Sequence, residues 1–111
     1  MNESDYIGKH LDVVIDRPLG SYHPIYNYQY PVNYGYIPNT CAGDHEELDA
    51  YVLCVNKPLV FFAGKCIAVI ERMDDHENKL VIVPDGIYLT DDEIYSFVEF
   101  QEKYFKSIIT R

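Results

Sequence analysis

Asp44, Glu46, Glu47 and Asp49 place four carboxylates within six positions. At neutral pH such a group repels itself unless a cation sits among it. A hard divalent ion such as Mg²⁺ suits the set, because it binds through a few carboxylates, keeps part of its water and shares its other positions with substrate phosphates. A solvated acidic loop is the alternative reading of the same residues. A second acidic group, Asp74-Asp75-His76-Glu77, stands just ahead of Lys79 and an apolar run to Pro84; taken alone it also reads as an exposed hairpin tip. An EF-hand is excluded. The glycine that such a loop needs at its sixth position, counting from Asp44, is Asp49, and no bidentate Glu stands at the twelfth. The chain also has no Walker loop, no Gly-x-Gly-x-x-Gly and no His-Glu-x-x-His.

Strands must position most of these groups. His10–Arg17 is a β-branched run stopped by Pro18 and Gly20. Tyr26, Tyr28 and Tyr30 recur every second residue, which predicts three rings on one face of an extended segment. For Tyr26 and Tyr28 the expected role is barrel packing. Ala50–Val55 and Lys65–Arg72 are nearly continuous apolar runs, punctuated by Lys57-Pro58 and Gly64, and Lys79–Val83 is another, ended by Pro84. Runs of this kind predict strands buried in a closed sheet. The period then changes. Thr90-Asp91-Asp92-Glu93 is a capping box, and Ile94, Phe97, Val98, Gln101, Tyr104, Phe105 and Ile108 form an i, i+3, i+4 stripe, which predicts one helix continuing past Phe105. Five or more short strands and a C-terminal helix predict a mainly β (α+β) fold, a small β-barrel with the helix packed against it.

Tyr30-Pro31-Val32-Asn33-Tyr34-Gly35-Tyr36-Ile37-Pro38, followed by Asp44-His45-Glu46-Glu47-Leu48-Asp49, closely resembles the signature of the soluble inorganic pyrophosphatase family. The likeness is strongest over residues 30–55, weaker over 63–84 and 10–17, and faint over 94–106. It implies an OB-like closed barrel whose site is a charged surface cavity, and Mg²⁺-dependent hydrolysis of pyrophosphate, or of a related small phosphoanhydride, with Mn²⁺ as an alternative ion. Residue by residue it implies metal ligation by Asp44, Asp49, Asp75, Glu77 and Asp16, with Asp74 as the alternative to Asp75. Glu46, which stands where the family has Asp, would handle the attacking water, and Tyr34 would sit at the catalytic centre. Lys79 and Tyr104 would hold phosphate.

The chain departs from the family pattern in two places. The turn Arg17-Pro18-Leu19-Gly20-Ser21-Tyr22-His23-Pro24 replaces a longer hairpin that carries a phosphate-binding lysine and arginine, and Phe105 stands where the family has lysine. Arg17 is the natural replacement, since a guanidinium can hold phosphate oxygens bidentately. Lys106 would point about 100° away from position 105 on a helix. These departures motivate a rival from another class, a binding or regulatory module that keeps metal and phosphate affinity without efficient turnover.

With 111 residues, 48% of them hydrophobic and 24% charged, the chain is expected to form a single globular domain over residues 1–111. A net charge of -9 argues against nucleic-acid partners, which need clustered Lys and Arg. The absence of a leader pattern and of an apolar run near ~20 residues predicts a soluble, cytoplasmic protein without membrane partners. Cys41, Cys54 and Cys66 make neither a CxxC pair nor an even set, so reduced thiols are expected, with Cys54 and Cys66 as small buried hydrophobes. The resemblance and the limited burial available to so short a chain imply a homo-oligomer acting on a small-molecule substrate.

Overall fold

A computed structural model describes residues 3–40, 46–75 and 77–111. Six strands, β1 (His10–Arg17), β2 (Asn33–Ile37), β3 (Leu48–Val52), β4 (Phe61–Arg72), β5 (Lys79–Val83) and β6 (Ser107–Thr110), accompany one α-helix, α1 (Asp91–Glu102). The first five close a barrel in the order β1-β2-β3-β5-β4, sealed by antiparallel pairing of β1 with β4. Among the strands of the described residues only β3 and β5 run parallel. The expected OB-like barrel with a C-terminal helix is present.

β4 is long because it serves two neighbours in turn. Its first half, Phe61–Lys65, pairs with β1, and its last residues, Val69–Arg72, pair with β6. Gly64, expected to separate two elements, therefore lies inside the strand. Its missing side chain is the reason it fits, since a Cβ there would stand 2.5 Å from the Phe62 ring and 2.7 Å from the Val83 carbonyl oxygen.

The continuous apolar runs follow from burial on both faces. Ala50, Val52, Leu80 and Ile82 fill the barrel with Val13, Ile15 and Val69. Their neighbours Tyr51, Leu53, Val81 and Val83 point outward into a second core beneath Ile94 and Val98 of α1. β3 ends at Val52, short of the predicted Val55, and Cys54 is exposed at a positive φ of 67°. The expectation that Cys54 is a buried strand residue is thus corrected; the chain has already turned out of the sheet. Cys66 is buried as expected, and burial pushes its thiol up to about 11.

The capping box forms as read: Thr90 Oγ1 accepts from Glu93 N at 3.2 Å, and Glu93 Oε1 accepts from Thr90 N at 3.0 Å. The helix ends at Glu102, however, and Ile108 is a strand residue. The edge of β4 beyond β1 has unpaired backbone groups, and the β-branched Ile108-Ile109 pair satisfies them, overriding the helical period. The tyrosine alternation at 26–30 also misleads. Asn27 adopts a φ of 59°, the chain turns, and the three rings gather around His23 instead of sharing a strand face. Tyr26, expected in barrel packing, is 73% exposed.

Gly35 lies where β2 crosses β1 most closely. A Cβ there would stand 1.9 Å from the Val14 carbonyl oxygen, a backbone atom that cannot swing aside. Gly35→Ala is therefore expected to lower unfolding free energy by about 1–3 kcal/mol, read as a shift of the urea midpoint. An unchanged midpoint would mean that the strands separate freely at this crossing.

Candidate active site

β1 carries a bulge. Ile15 pairs with Gly35 and Arg17 with Tyr34, so Asp16 is the extra residue opposite β2. Successive strand residues ordinarily face opposite sides, but a bulge re-aims them, and here both Asp16 and Arg17 line one cavity. Asn33 braces the turn that follows: its Oδ1 accepts from Leu19 N and from Leu59 N, both at 3.0 Å, and its Nδ2 donates to Lys57 O at 2.9 Å. The asparagine of the strongest motif is thus a buried strut for the turn beside Arg17.

The rest of the charged wall comes from register. Tyr36 and Lys79 flank Asp49 on the neighbouring strands, and Lys79 Nζ donates to Asp49 Oδ2 at 2.5 Å. Tyr34 stands beside them, with the Lys79 ammonium 5.6 Å from its ring centre. Burial, then the charge of Asp49, hold the Tyr34 phenol well above its ordinary pKa, so it stays protonated and donates toward Asp49. Asp16 is also raised, first by desolvation at the cavity wall, with Arg17 opposing and Asp49 adding to the shift. Asp16 and Asp49 are therefore close enough to feel one another. The cavity measures about 910 Å³.

Its floor is a buried polar relay that ties the two cationic ends together. Arg17 Nη1 donates to Tyr30 Oη at 3.0 Å, and Tyr30 Oη donates to Gln101 Oε1 at 2.7 Å. Gln101 Nε2 donates to Tyr51 Oη at 2.6 Å, and Tyr51 Oη to Glu102 Oε2 at 2.6 Å. Glu102, fully buried, takes a bidentate grip from Arg72 through Nε at 2.9 Å and Nη2 at 2.8 Å. Arg72 Nη1 then reaches Asp75 at 3.2 Å and Glu77 at 3.5 Å. The Phe105 ring lies 3.8 Å from the same guanidinium. Phe105 thus covers Arg72.

Of the residues singled out in the sequence, Asp16, Arg17, Tyr34, Asp49, Glu77, Lys79 and Tyr104 come together around the cavity. Asp75 stands behind, held by Arg72, and Glu77 N donates to its Oδ1 at 3.0 Å. Asp74 Oδ2 accepts from Lys106 N at 3.1 Å and so fixes the turn after α1. Glu46 is exposed ahead of β3 and does not line the cavity among the described residues. Asp44 and His76 lie outside the described residues. Tyr104, Phe105 and Lys106 follow the helix in a turn, so the helical angle between positions 105 and 106 does not apply; Lys106 simply does not line the cavity.

Arg72, Glu102 and the role of Gln101 were not found from sequence. A signal for Glu102 did exist. It stands four residues after Val98 and eight after Ile94, on the buried face of α1, and a carboxylate there demands a cation.

Among the described residues no three metal-ligating side chains gather into a cluster. Asp16 and Asp49 nevertheless supply a pair of hard oxygen donors in one cavity. A pair matches an ion of the Mg²⁺ type, which takes one or two carboxylates, retains water and completes its shell with substrate phosphates. The donor chemistry therefore fits a hard divalent metal.

The family model described as inorganic pyrophosphatase matches residues 11–110. The chain belongs to the inorganic pyrophosphatase family. Curated relatives include an inorganic pyrophosphatase of Neisseria meningitidis, 33% identical over 105 residues that cover 76% of this chain and 59% of the relative. Another, from Halobacterium salinarum, is 32% identical over 117 residues, covering 93% and 63%. The chain thus spans about three-fifths of the length of these relatives. Among solved structures, an inorganic pyrophosphatase from Neisseria gonorrhoeae superposes with a TM-score of 0.69 at 26% identity, covering 87% of this chain and 74% of that one. The pyrophosphatase from Ehrlichia chaffeensis also gives 0.69, at 22% identity, covering 91% and 84%, a likeness of fold.

Proposed function

We propose that this chain is a metal-dependent hydrolase of pyrophosphate or a related small phosphoanhydride. The observation that carries the reading is the meeting, in one cavity, of the carboxylates Asp16 and Asp49 with the cations Arg17 and Lys79. Phosphoanhydride hydrolysis depends on positioning and charge neutralisation more than on covalent chemistry, and this cavity offers both signs of charge.

Asp16 and Asp49 would hold the metal, with Asp44 joining them on the sequence motif. Bound there, Mg²⁺ would neutralise phosphoryl charge and acidify water. Lys79 and Arg17, which line the same cavity, would hold phosphate oxygens. Lys79 is fixed by Asp49, and Arg17 by the neutral Tyr30 phenol, so neither must reorganise as charge develops. Tyr34, protonated, orients Asp49. Glu77 and Asp75 balance Arg72 at the cavity's far end.

On the motif it shares with Asp49, Glu46 would accept the proton of the attacking water, a role that rests on the motif alone because Glu46 stands outside the cavity lining among the described residues. Glu46→Gln is expected to lower the rate by about 10²-fold with little change in metal affinity. An unaffected Glu46→Gln rate beside an Asp16→Asn variant that binds metal with native affinity yet is crippled in rate would assign the base to Asp16.

The experiment that tests the whole reading is phosphate release from pyrophosphate with Mg²⁺, Mn²⁺ or EDTA. Release with metal and none with EDTA is the expected result. Binding of pyrophosphate without release would favour the rival, a catalytically weak binding module. One observation speaks for that rival: Lys79 and Arg72 are already ion-paired within the protein.

Arg17 separates the two. Arg17→Ala is expected to reduce affinity and rate each by at least about tenfold, ~1.4 kcal/mol, while Lys106→Ala changes neither by more than about twofold, because Lys106 lies outside the cavity. Steady-state kinetics checks both, and greater damage from Lys106→Ala would displace the phosphate pocket.

A further inference from the structure

One wall of the cavity is aromatic. His23, Tyr26, Tyr28 and Tyr104 line it, while its carboxylates, Asp16, Asp49 and Glu77, come from β1, β3 and the approach to β5. Pyrophosphate is a compact anion, and with a hydrated metal it would occupy the charged wall of a cavity of about 910 Å³, leaving the aromatic wall uncontacted. A cavity of this size is in the range that takes a drug-sized organic molecule.

The aromatic wall is held in place. His23 Nδ1 accepts from the backbone N–H groups of Ile25 and Tyr26, both at 3.1 Å, which fixes the ring and leaves the proton on Nε2. Tyr26 and Tyr28 pack against His23 with ring centres 5.0 and 4.9 Å away. Tyr28 is pinned through its hydroxyl to Gln101 at 2.8 Å and lies near-parallel to Tyr104, 6.2 Å between centres. Yet Tyr26 is 73% exposed and Tyr104 62% exposed. Both rings thus stand exposed on the cavity wall, Tyr26 backed by His23 and Tyr104 by Tyr28, with the Lys103 ammonium 5.3 Å from the Tyr104 ring centre.

Arg17 joins the aromatic wall to the charged one. Its guanidinium bonds the Tyr30 hydroxyl, and the Tyr30 ring stacks on His23 with an interplanar angle of 7°. A ligand with phosphates between Arg17 and the Asp49–Lys79 pair would therefore carry its next group toward His23, Tyr26 and Tyr104. Planar heteroaromatic bases stack on such rings with little dependence on base identity.

We propose that the cavity takes a nucleoside polyphosphate, its phosphates on Arg17 and Lys79 and its base stacked on Tyr26 and Tyr104. This rests on the reading of the cavity as a phosphoanhydride hydrolase site. In the reaction, water oxygen bonds to the terminal phosphorus as the anhydride P–O bond breaks. The bonding pair leaves with the nucleoside phosphate, and the water proton passes to the carboxylate base and on to solvent.

The test compares phosphate release from ATP, tripolyphosphate and pyrophosphate at equal Mg²⁺, for the native chain and for Tyr26→Ala, an exposed position where folding is not at stake. The expected result is a kcat/KM for ATP at least about tenfold above that for tripolyphosphate, ~1.4 kcal/mol. Tyr26→Ala should erase that gap through KM and leave tripolyphosphate unchanged. Tripolyphosphate matching or exceeding ATP, with pyrophosphate still hydrolysed, overturns the base site and leaves the phosphoanhydride reading standing. An ATP preference that survives Tyr26→Ala also overturns the proposed wall. No release from any of the three removes both readings together.

Discussion

Replacing Asp49 with Asn is expected to lower pyrophosphate turnover by at least about 10⁴-fold, ~5.4 kcal/mol, while the protein stays folded. Asp49 Oδ2 accepts from Lys79, which is only 3% exposed. An amide oxygen can still accept that hydrogen bond, so the buried ammonium keeps a partner. What disappears is the negative charge that would attract the metal in the proposed site and that pairs with the Lys79 ammonium. Phosphate release at saturating Mg²⁺, with circular dichroism to confirm folding, measures the effect. A variant that retains a tenth of the native rate would remove Asp49 from the metal site. Asp44→Asn carries the same expectation from the sequence motif.

Glu102→Ala should cost about 3–5 kcal/mol of stability, the loss found when one partner of a buried ion pair is removed. The variant leaves Arg72, 4% exposed, without its bidentate acceptor and takes the acceptor of the Tyr51 hydroxyl as well. Against a typical total of about 5–15 kcal/mol, the loss is large enough to bring a small protein near unfolding. Urea titration reads it directly. Since an apolar pair can replace a buried salt bridge without loss, the double variant Arg72→Met/Glu102→Leu is expected to recover much of the stability. A shift below about 1 kcal/mol in Glu102→Ala would mean that Asp75 and Glu77 satisfy Arg72 unaided.

The relay from Arg17 to Arg72 explains why the end of α1 matters to a site built mainly on strands. Gln101 and Glu102 are the last residues of the helix, and both bond the hydroxyl of Tyr51 on β3. Helix docking, barrel closure and the aim of both guanidinium groups are thereby coupled. Phe105, which replaces a cation of the family pattern, meets Arg72 face-on and shields the pair from water.

By itself the sequence determined the strands of the apolar runs, the capping box at Thr90 and the family, and the resemblance to that family singled out Asp16, Tyr34, Asp49, Glu77, Lys79 and Tyr104 as candidates. Each depends on near neighbours in the chain or on a short family motif, so it can be read without long-range contacts. Tertiary structure alone decided the rest. The bulge at Asp16 exists only because β1 has β2 beside it, and it turns two adjacent side chains into one cavity. The helix stops at Glu102 because a distant strand edge offers Ile108-Ile109 hydrogen bonds that a longer helix would forgo. Tyr26–Tyr30 kept the period of a strand, but packing around His23 set their directions. Arg72 and Glu102 are 30 residues apart and became partners only when helix and barrel met. Local spacing records which residues are chemically able; which of them touch is decided by long-range pairing, where one strand edge or one buried charge can outweigh a whole turn of helical periodicity.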